Sequence, residues 1–231
     1  MERKNVLITG ANKGIGFETA RQLGKMHHQI IITSRDVEKG VESALKLQGM
    51  GLHAHYVEMD VRDEASIKEA ETEVSKIFGK LDVLINNAAI LNDRSFSTNV
   101  SKEAVQQHMD TNFYGPLLVS QIFLPMLMKS KDGRIINITS QMGILNEMGS
   151  GAAAYRFSKA AINSLTTVMA ADLAHTSIKV NSMYPGWVKT EMGGEGAPKT
   201  IEEGADTIVW LATTPEIPTG KIFFERKETN W

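Results

Sequence analysis

Residues 6–16 read VLITGANKGIG, a short apolar run followed by a stretch with three glycines. The run at residues 6–9 is rich in β-branched residues, which favours a buried β-strand. Gly10, Gly14 and Gly16 permit a tight turn, and the apolar spacing that follows predicts a helix. This order brings free N–H groups to the start of the helix, where they can bind a pyrophosphate. The segment therefore predicts an α/β fold with a nucleotide site.

The rest of the chain repeats this alternation of short apolar runs and longer amphipathic segments. Further strands are predicted at residues 30–33, 53–59, 83–85, 134–139, 178–183 and 221–224. Helices are predicted at about 15–26, 63–78, 101–129, 155–174 and from 200 onward. Right-handed crossovers wind such units into a Rossmann-type, doubly wound parallel sheet with helices on both faces. We therefore expect a single α/β domain over residues 1–231, with a sheet of about seven strands.

The composition excludes several classes of protein. The chain has 25 basic and 27 acidic residues, and its formal charge of -2 does not favour nucleic acid or an anionic membrane as a partner. It has no cysteine, so disulfides and thiolate chemistry are excluded. Its longest apolar stretch, residues 117–128, is too short to cross a bilayer, and the N-terminal run is too short for a signal peptide. The six histidines lack metal-ligand spacing, so we expect no metal. The absence of cysteine and the short apolar segments lead us to expect a cytoplasmic protein.

The end of the second predicted strand, residues 33–36, indicates which nucleotide binds. An acid about 20 residues beyond the glycines is typical of NAD sites, because it reaches the ribose hydroxyls. Asp36 satisfies that count, but Ser34 occupies the strand end and Arg35 follows it. Arg35 and Lys13, in the glycine turn, would suit the 2′-phosphate of NADP(H) unless both are solvated surface charges. We therefore predict NADP(H) as the cofactor.

A tyrosine and a lysine four residues apart predict a catalytic pair. Tyr155 and Lys159 share one face of the predicted helix, so the phenol and the ammonium can meet. A phenol has a pKa near about 10 in water, and a neighbouring cation lowers that pKa toward the working range. The same spacing occurs by chance in ordinary helices, so the prediction needs support from other groups.

Other motifs along the chain supply that support. In chain order they are Thr9-Gly10, Gly14-Ile15-Gly16, Asp60, Asn86-Asn87-Ala88, Asn112, Ser140, Tyr155, Lys159, Pro185-Gly186 and Thr190. With these motifs, over almost its whole length, the chain resembles the short-chain dehydrogenase/reductase family. Within that family, the turn at residues 10–16, the Arg35-Asp36 pair and the ending from Gly220 are similar to those of the NADPH-dependent carbonyl reductases.

The resemblance implies four catalytic residues. Tyr155 would donate a proton to a carbonyl oxygen as hydride arrives from the nicotinamide, and Ser140 would hydrogen-bond the same oxygen. Lys159 would lower the pKa of Tyr155 and bind the nicotinamide ribose. Asn112 would hold a water that links Lys159 to solvent. Local backbone capping is the alternative for Asn112 and Ser140, and their match to the other two residues argues against it.

The resemblance also extends the cofactor site beyond the glycine turn. Asp60 and Val61 would meet the adenine, Asn87 the adenosine ribose, and the segment from Pro185 the nicotinamide. The full predicted cofactor set is Gly10, Asn12, Lys13, Gly14, Ile15, Gly16, Ser34, Arg35, Asp60, Val61, Asn87, Ala88, Tyr155, Lys159, Pro185, Gly186, Val188 and Thr190.

A group of mostly apolar side chains predicts the class of substrate. The candidate residues are Gln141, Met142, Met148, Trp187 and Met192. They favour a small apolar or aromatic carbonyl compound over a sugar or a charged acid, unless methionine and tryptophan only fill gaps in the core.

The chain departs from the family pattern at three places. Ala89 replaces the usual glycine, which would slightly displace the backbone near the adenosine. Only fourteen residues separate Ser140 from Tyr155, so the long insertion of the monomeric carbonyl reductases is missing. We therefore expect a homodimer or homotetramer that packs through the helices of Tyr155 and Asn112. Residues 190–200 contain three glycines and would form a short, mobile substrate lid.

Two other functions stay open at this point. A non-catalytic, NADP(H)-binding redox sensor would keep the nucleotide site but would be expected to lose catalytic groups, and all four are present here. An NAD-dependent alcohol dehydrogenase would require Asp36 to reach the ribose. The sequence favours an NADP(H)-dependent enzyme that reduces ketones, aldehydes or quinones.

Overall fold

A computed structural model describes residues 2–231 and contains one eight-stranded sheet. In chain order the strands are β1 (Asn5–Ile8), β2 (Gln29–Ser34), β3 (Ala54–Glu58), β4 (Val83–Asn86), β5 (Arg134–Ile138), β6 (Lys179–Met183), β7 (Ile222–Phe224) and β8 (Lys227–Thr229). The seven predicted strands are confirmed, each within one residue at either end. The short strand β8 was not predicted, and it pairs antiparallel with β7 at the edge of the sheet.

The helices depart from the prediction in two places. In chain order they are α1 (Gly14–Lys25), α2 (Val37–Gly49), α3 (Glu64–Phe78), α4 (Lys102–Met109), α5 (Gly115–Leu127), α6 (Ala153–Asp172) and α7 (Ile201–Thr213). Helix α2 was not predicted; it begins after Asp36, whose carboxylate caps it by accepting from the N–H of Lys39 at 3.1 Å. The continuous helix predicted at residues 101–129 is wrong in one respect, because a π turn at Asp110–Tyr114 separates α4 from α5.

The central strands are buried on both faces, which explains their continuous apolar runs. Successive side chains of a strand point to opposite faces of the sheet. Val6 and Ile8 of β1 accordingly pack in one core with apolar residues of α1, α2 and α7. Leu7 packs in a second core with residues of α3, α5 and α6. The two helix layers cover both faces and leave the ends of the strands for a ligand site.

The order of the strands creates a crevice at their carboxyl ends. That order is β3-β2-β1-β4-β5-β6-β7-β8, and all neighbours except β7 and β8 are parallel. The chain winds outward from β1 through β2 and β3 and then returns to the other side of β1 with β4. In doubly wound sheets a ligand binds outside the carboxyl ends at such a switch point. The glycine turn after β1 and the asparagines after β4 therefore meet where a nucleotide is expected.

No helix between residues 2 and 231 is long and apolar enough to cross a membrane. The predominantly apolar helix α5 has 13 residues, whereas a membrane-spanning helix needs about 20.

Candidate active site

A cleft of about 800 Å³ opens at the carboxyl ends of β1 and β4. Val188 and Gly186 lie outside its lining, and Val188 is buried in an isolated β-bridge with Lys199. The structure gathers the other predicted cofactor residues around the cleft, namely Gly10, Asn12, Lys13, Gly14, Ile15, Gly16, Ser34, Arg35, Asp60, Val61, Asn87, Ala88, Tyr155, Lys159, Pro185 and Thr190.

Thr9 holds the glycine turn against the end of β4. Its hydroxyl accepts hydrogen bonds from the N–H groups of Asn87 and Ala88, both at 2.9 Å. The Asn87 side-chain amide donates in turn to the carbonyls of Thr9 at 2.8 Å and Gly10 at 3.2 Å. A Cβ on Gly16 would lie 2.5 Å from the Asn87 amide nitrogen, so this packing requires glycine. Asn87 therefore shapes the turn, and its contact with an adenosine ribose stays a prediction.

The start of α1 fits a pyrophosphate. No side chain caps its first turn, and that turn contains no acidic residue. Gly10 and Gly14 have φ angles of +61° and +58°, conformations that glycine adopts without strain. The leading N–H groups of the helix are therefore available to an anion. Together with the volume of the cleft, these features fit a dinucleotide.

The end of β2 presents cations to the cleft. Asp36 caps α2 and forms an ion pair with Lys39 at 2.8 Å, and this contact holds the pKa of Asp36 below its ordinary value. Ser34 donates to the Asp36 carbonyl at 2.7 Å and fixes the bend between β2 and α2. Arg35 and Lys39 line the cleft beside Asp36. Because the acid is used as a helix cap, this corner suits a phosphate better than a bare ribose.

Lys13 reaches across the cleft to the loop after β6. Its ammonium forms an ion pair with Glu191 in that loop. The loop is also tied internally, since the indole N–H of Trp187 donates to the carbonyl of Gly193 at 2.7 Å. Residues 190–200, predicted to be a mobile lid, are thus a bonded loop in the structure, and their movement stays a prediction.

Tyr155 and Lys159 lie one turn apart on α6 and both line the cleft. Their relative exposures are 7% and 2%. The Lys159 ammonium lies 5.5 Å from the centre of the Tyr155 ring and donates a hydrogen bond of 2.8 Å to the carbonyl of Ile138, the last residue of β5. The structure therefore brings the predicted pair together and fixes it through a carbonyl that no sequence pattern marks.

Burial dominates the pKa values of this pair. It raises the pKa of Tyr155 to about 12, and a hydrogen bond with Ser140 opposes that shift. It lowers the pKa of Lys159 to about 7. Both shifts have one cause, because the charged form of either group loses its hydration inside the protein. The expected lowering of the Tyr155 pKa by Lys159 is not found, and Ser140 is the group that lowers it.

Ser140 follows the end of β5 and is in a position to serve two purposes. Its hydroxyl accepts a hydrogen bond of 3.1 Å from the N–H of Met142 and so caps the 3₁₀ turn Gln141–Gly143. The same hydroxyl lies within hydrogen-bond reach of Tyr155, although Ser140 does not itself line the cleft. Capping and catalysis are therefore compatible at Ser140.

Asn112 is buried in the π turn and joins three segments. Its amide donates to the carbonyl of Ile90 and to the hydroxyl of Ser158, both at 3.0 Å, and its oxygen accepts from the N–H of Ile90 at 2.8 Å. Ser158 donates in turn to the Tyr155 carbonyl at 2.8 Å. Single π turns inside helices are frequent at functional sites. Both amide hydrogens of Asn112 are already donated, and the predicted role in holding a water stays a prediction.

The predicted substrate residues lie in different places. Met192 lines the cleft. Gln141, Met142 and Met148 belong to the segment between β5 and α6, outside the lining, and Trp187 is exposed in the loop after β6. Their contact with a substrate stays a prediction.

Several residues of the lining were not predicted as site residues. They are Asp36, Lys39, Met59, Arg62, Ala89, Ile90, Leu91, Asn92, Thr111, Ile138, Thr139, Glu191 and Ile201. All but the last lie within four positions of a predicted residue. Proximity to the carboxyl end of a parallel strand was the signal that could have found most of them.

These features define the class of protein as an α/β enzyme that uses a dinucleotide. A family model described as "short chain dehydrogenase" matches residues 4–200. The chain belongs to the short-chain dehydrogenase family, and it is an oxidoreductase.

Individual relatives agree with this assignment. Carbonyl reductase [NADPH] 1 of Sus scrofa is 32% identical, over 97% of this chain and 93% of the relative. (+)-Neomenthol dehydrogenase of Arabidopsis thaliana is 31% identical, over 97% of this chain and 96% of the relative. Among solved structures, the NADPH-bound carbonyl reductase from chicken fatty liver has a TM-score of 0.91 and 31% identity, with 100% of each chain covered. The predicted family and fold are confirmed.

The buried lysine should make stability depend on pH. The folded-state pKa of Lys159, about 7, lies below the ordinary lysine value of 10.5, so the unfolded chain binds more protons between these pH values. Stability should therefore rise with pH across this window. Above about 10 the raised pKa of Tyr155 has the opposite effect, because the unfolded chain then releases its phenolic proton first.

Lys159→Met should remove the rise in stability between about pH 7.5 and about pH 9.5. Chemical denaturation gives the free energy of unfolding of both proteins. The wild-type value minus the variant value should increase by about 2 kcal/mol over that interval. Only the change with pH is compared, so the constant effect of losing the bond to Ile138 cancels. Lys46→Met, which replaces an exposed lysine on α2, is the matched control and should show no such change. A pH-independent difference for Lys159→Met would contradict a lysine that deprotonates in the folded protein.

Proposed function

We propose that this NADP(H)-dependent oxidoreductase reduces small apolar or aromatic carbonyl compounds (ketones, aldehydes or quinones), with Tyr155 as the proton donor. The bound cofactor supplies the hydride, and the chain supplies the proton and holds the carbonyl oxygen. Oxidation of the alcohol would use the same groups in reverse. The observation that carries the proposal is the buried pair of Tyr155 and Lys159 in the cleft. The names of the pig and chicken relatives support the carbonyl substrate.

Tyr155 suits the role of an acid because it keeps its proton at neutral pH. Burial raises its pKa, so the phenol is protonated when a carbonyl compound binds. Ser140 would share the negative charge that develops on the carbonyl oxygen. As the phenol gives up its proton, the hydrogen bond with Ser140 would stabilise the phenolate, since this bond opposes the rise in the pKa of Tyr155. A pKa near 7 also allows Lys159 to pass a proton onward at neutral pH.

The apolar part of the lining supports the substrate class. Ile90, Leu91 and Met192 line the same cleft as Tyr155. Apolar side chains around a few polar groups are typical of sites for small molecules. A carbonyl compound with an apolar body would place its oxygen at Tyr155 and its remainder against these side chains.

Tyr155→Phe should lower kcat by roughly 10²- to 10⁴-fold and leave NADPH binding unchanged, because it removes the acid and keeps the ring. Turnover with a panel of ketones, aldehydes and quinones, together with fluorescence titration by NADPH, measures the two effects. Tyr114→Phe removes the hydroxyl of an exposed tyrosine on the π turn and should keep wild-type turnover. Wild-type rates in Tyr155→Phe would exclude it as the acid. A wild-type protein that binds NADPH but turns over none of the panel would favour a redox sensor.

We also propose that Arg35 and Lys13 bind the 2′-phosphate of the cofactor, beside Ser34 at the end of β2. Arg35→Asp should weaken NADPH binding by about 10- to 100-fold and leave NADH binding nearly unchanged, since only NADPH carries that phosphate. Fluorescence titrations with both nucleotides give the ratio. Lys46→Asp makes the same change of charge at an exposed site on α2 and should leave the ratio at its wild-type value. An unchanged ratio in Arg35→Asp would show that the phosphate binds elsewhere.

For the assembly, we propose a homodimer or homotetramer that packs through α6 and the helices around Asn112. Phe157 and Val168 on α6 are 44% and 55% exposed. They are about three helical turns apart and so lie on one face. The alignment with the pig relative runs over 272 positions, so that protein carries segments that this chain lacks. A second copy of the chain would cover the apolar face.

Light scattering at micromolar concentration should therefore give the mass of a dimer or tetramer. Val168→Glu should shift that mass toward the monomer, because a charge buried in an apolar interface is costly. Val41→Glu places the same charge at an exposed valine of α2 and should not change the mass. A monomeric wild type would refute the assembly.

A further inference from the structure

Gly143 packs directly on the backbone of α6. It is the last residue of the 3₁₀ turn that Ser140 caps. A Cβ on Gly143 would lie 2.6 Å from the carbonyl carbon of Lys159 and 2.8 Å from its carbonyl oxygen. Backbone atoms inside a helix cannot rotate away from such a contact. Any other residue here would have to separate the turn from α6 by roughly half an ångström or more.

The close approach, and not the backbone conformation, explains the glycine. The φ angle of Gly143 is not positive, so a residue with a side chain could adopt the same turn. By contrast, Gly151 shortly before α6 has a φ angle of +73°. The requirement at Gly143 is therefore for space against the helix.

Hydrogen bonds hold the segment around Gly143 to α6. The Thr139 hydroxyl donates to the Lys159 carbonyl at 3.2 Å, and the Asn163 amide donates to the Gly143 carbonyl at 3.0 Å. Within the turn, the N–H of Gly143 donates to the Ser140 carbonyl at 2.9 Å. Ser140 thus lies between two points that are bonded to the helix. Its distance from the helix depends on how closely Gly143 approaches.

We propose that Gly143 is a positioning residue whose missing side chain lets the Ser140 hydroxyl reach Tyr155, while Asn163 holds the turn at that depth. This inference rests on the proposed function, in which Ser140 and Tyr155 act on one carbonyl oxygen. A hydrogen bond to a developing charge weakens steeply when its distance and angle are wrong. A small retreat of the turn therefore removes the contribution of Ser140 without removing any catalytic group.

The test is a double-mutant cycle on the full-length protein with NADPH and one carbonyl substrate. Gly143→Ala should lower kcat by about 10- to 100-fold and change the affinity for NADPH by less than about twofold. Ser140→Ala should lower kcat by a similar factor. The variant with both changes should be no slower than Ser140→Ala, because Gly143 acts only through Ser140. Gly49→Ala, where an added Cβ would meet no atom within 4 Å, is the matched control and should keep wild-type kcat.

The pH profile gives a readout that a merely structural glycine would not change. The hydrogen bond from Ser140 lowers the pKa of Tyr155. Loss of this hydrogen bond raises the pKa of Tyr155. The alkaline limb of the pH profile of kcat/KM should therefore move to higher pH, by the same amount in Gly143→Ala and in Ser140→Ala. An unshifted limb in Gly143→Ala would overturn the inference, as would wild-type kcat or losses that multiply in the double variant.

Asn163→Ala tests the same inference without adding a Cβ to the tight contact. It removes the bond to the Gly143 carbonyl and should lower kcat severalfold in the wild-type background and not at all in the Ser140→Ala background. An equal loss in both backgrounds would overturn the positioning role. If Ser140→Ala and Tyr155→Phe themselves kept wild-type rates, the proposed function would fail. If those two variants were slow and Gly143→Ala were fast, only this inference would fail.

Discussion

The buried hydrogen bond from the Lys159 ammonium to the Ile138 carbonyl joins α6 to the end of β5 at 2.8 Å. A polar group without water is stable only when it is bonded, so this bond fixes the helix relative to the sheet. Tyr155 lies one turn back along the helix, and Ser140 lies two residues beyond Ile138 along the chain. This contact therefore helps to place both side chains at the cleft, together with the bonds from Thr139 and Asn163 that hold the following turn to the same helix.

Burial on both faces of the sheet explains why the chemistry lies at the ends of the strands. Helices cover the two faces, so polar side chains find solvent and ligands where the strands stop. Thr9 and Asn87 illustrate the result, because both follow parallel strands that lie side by side and bond to each other across the gap. The glycine turn that they support is held open beside a helix start with no side-chain cap. A fold that buries its strands so completely leaves its ligand site at a predictable edge.

The same burial has a cost in the active site. It raises the pKa of Tyr155 and lowers that of Lys159, because the charged form of each group loses its hydration. Burial therefore favours the neutral form of both groups. For a proton donor this is useful, because the phenol keeps its proton until a neighbouring oxygen takes it. Lys159 lowers the stability of the folded protein at neutral pH, because the unfolded chain fully binds a lysine proton there and the folded chain binds it only in part. Local destabilisation at a functional site is a common exchange for activity.

The amino-acid sequence predicted the seven main strands, the glycine turn and the pair on α6, because each depends on local spacing of apolar residues, glycines or a helical repeat. It did not reveal that Asp36 caps a helix, that a π turn carries Asn112, or that a main-chain carbonyl holds Lys159. Main-chain carbonyls are the same in every residue, so no pattern marks the one that a distant side chain reaches. Only the tertiary structure brings residues distant in sequence together, and it alone decides which of them bond and how far burial moves their pKa values.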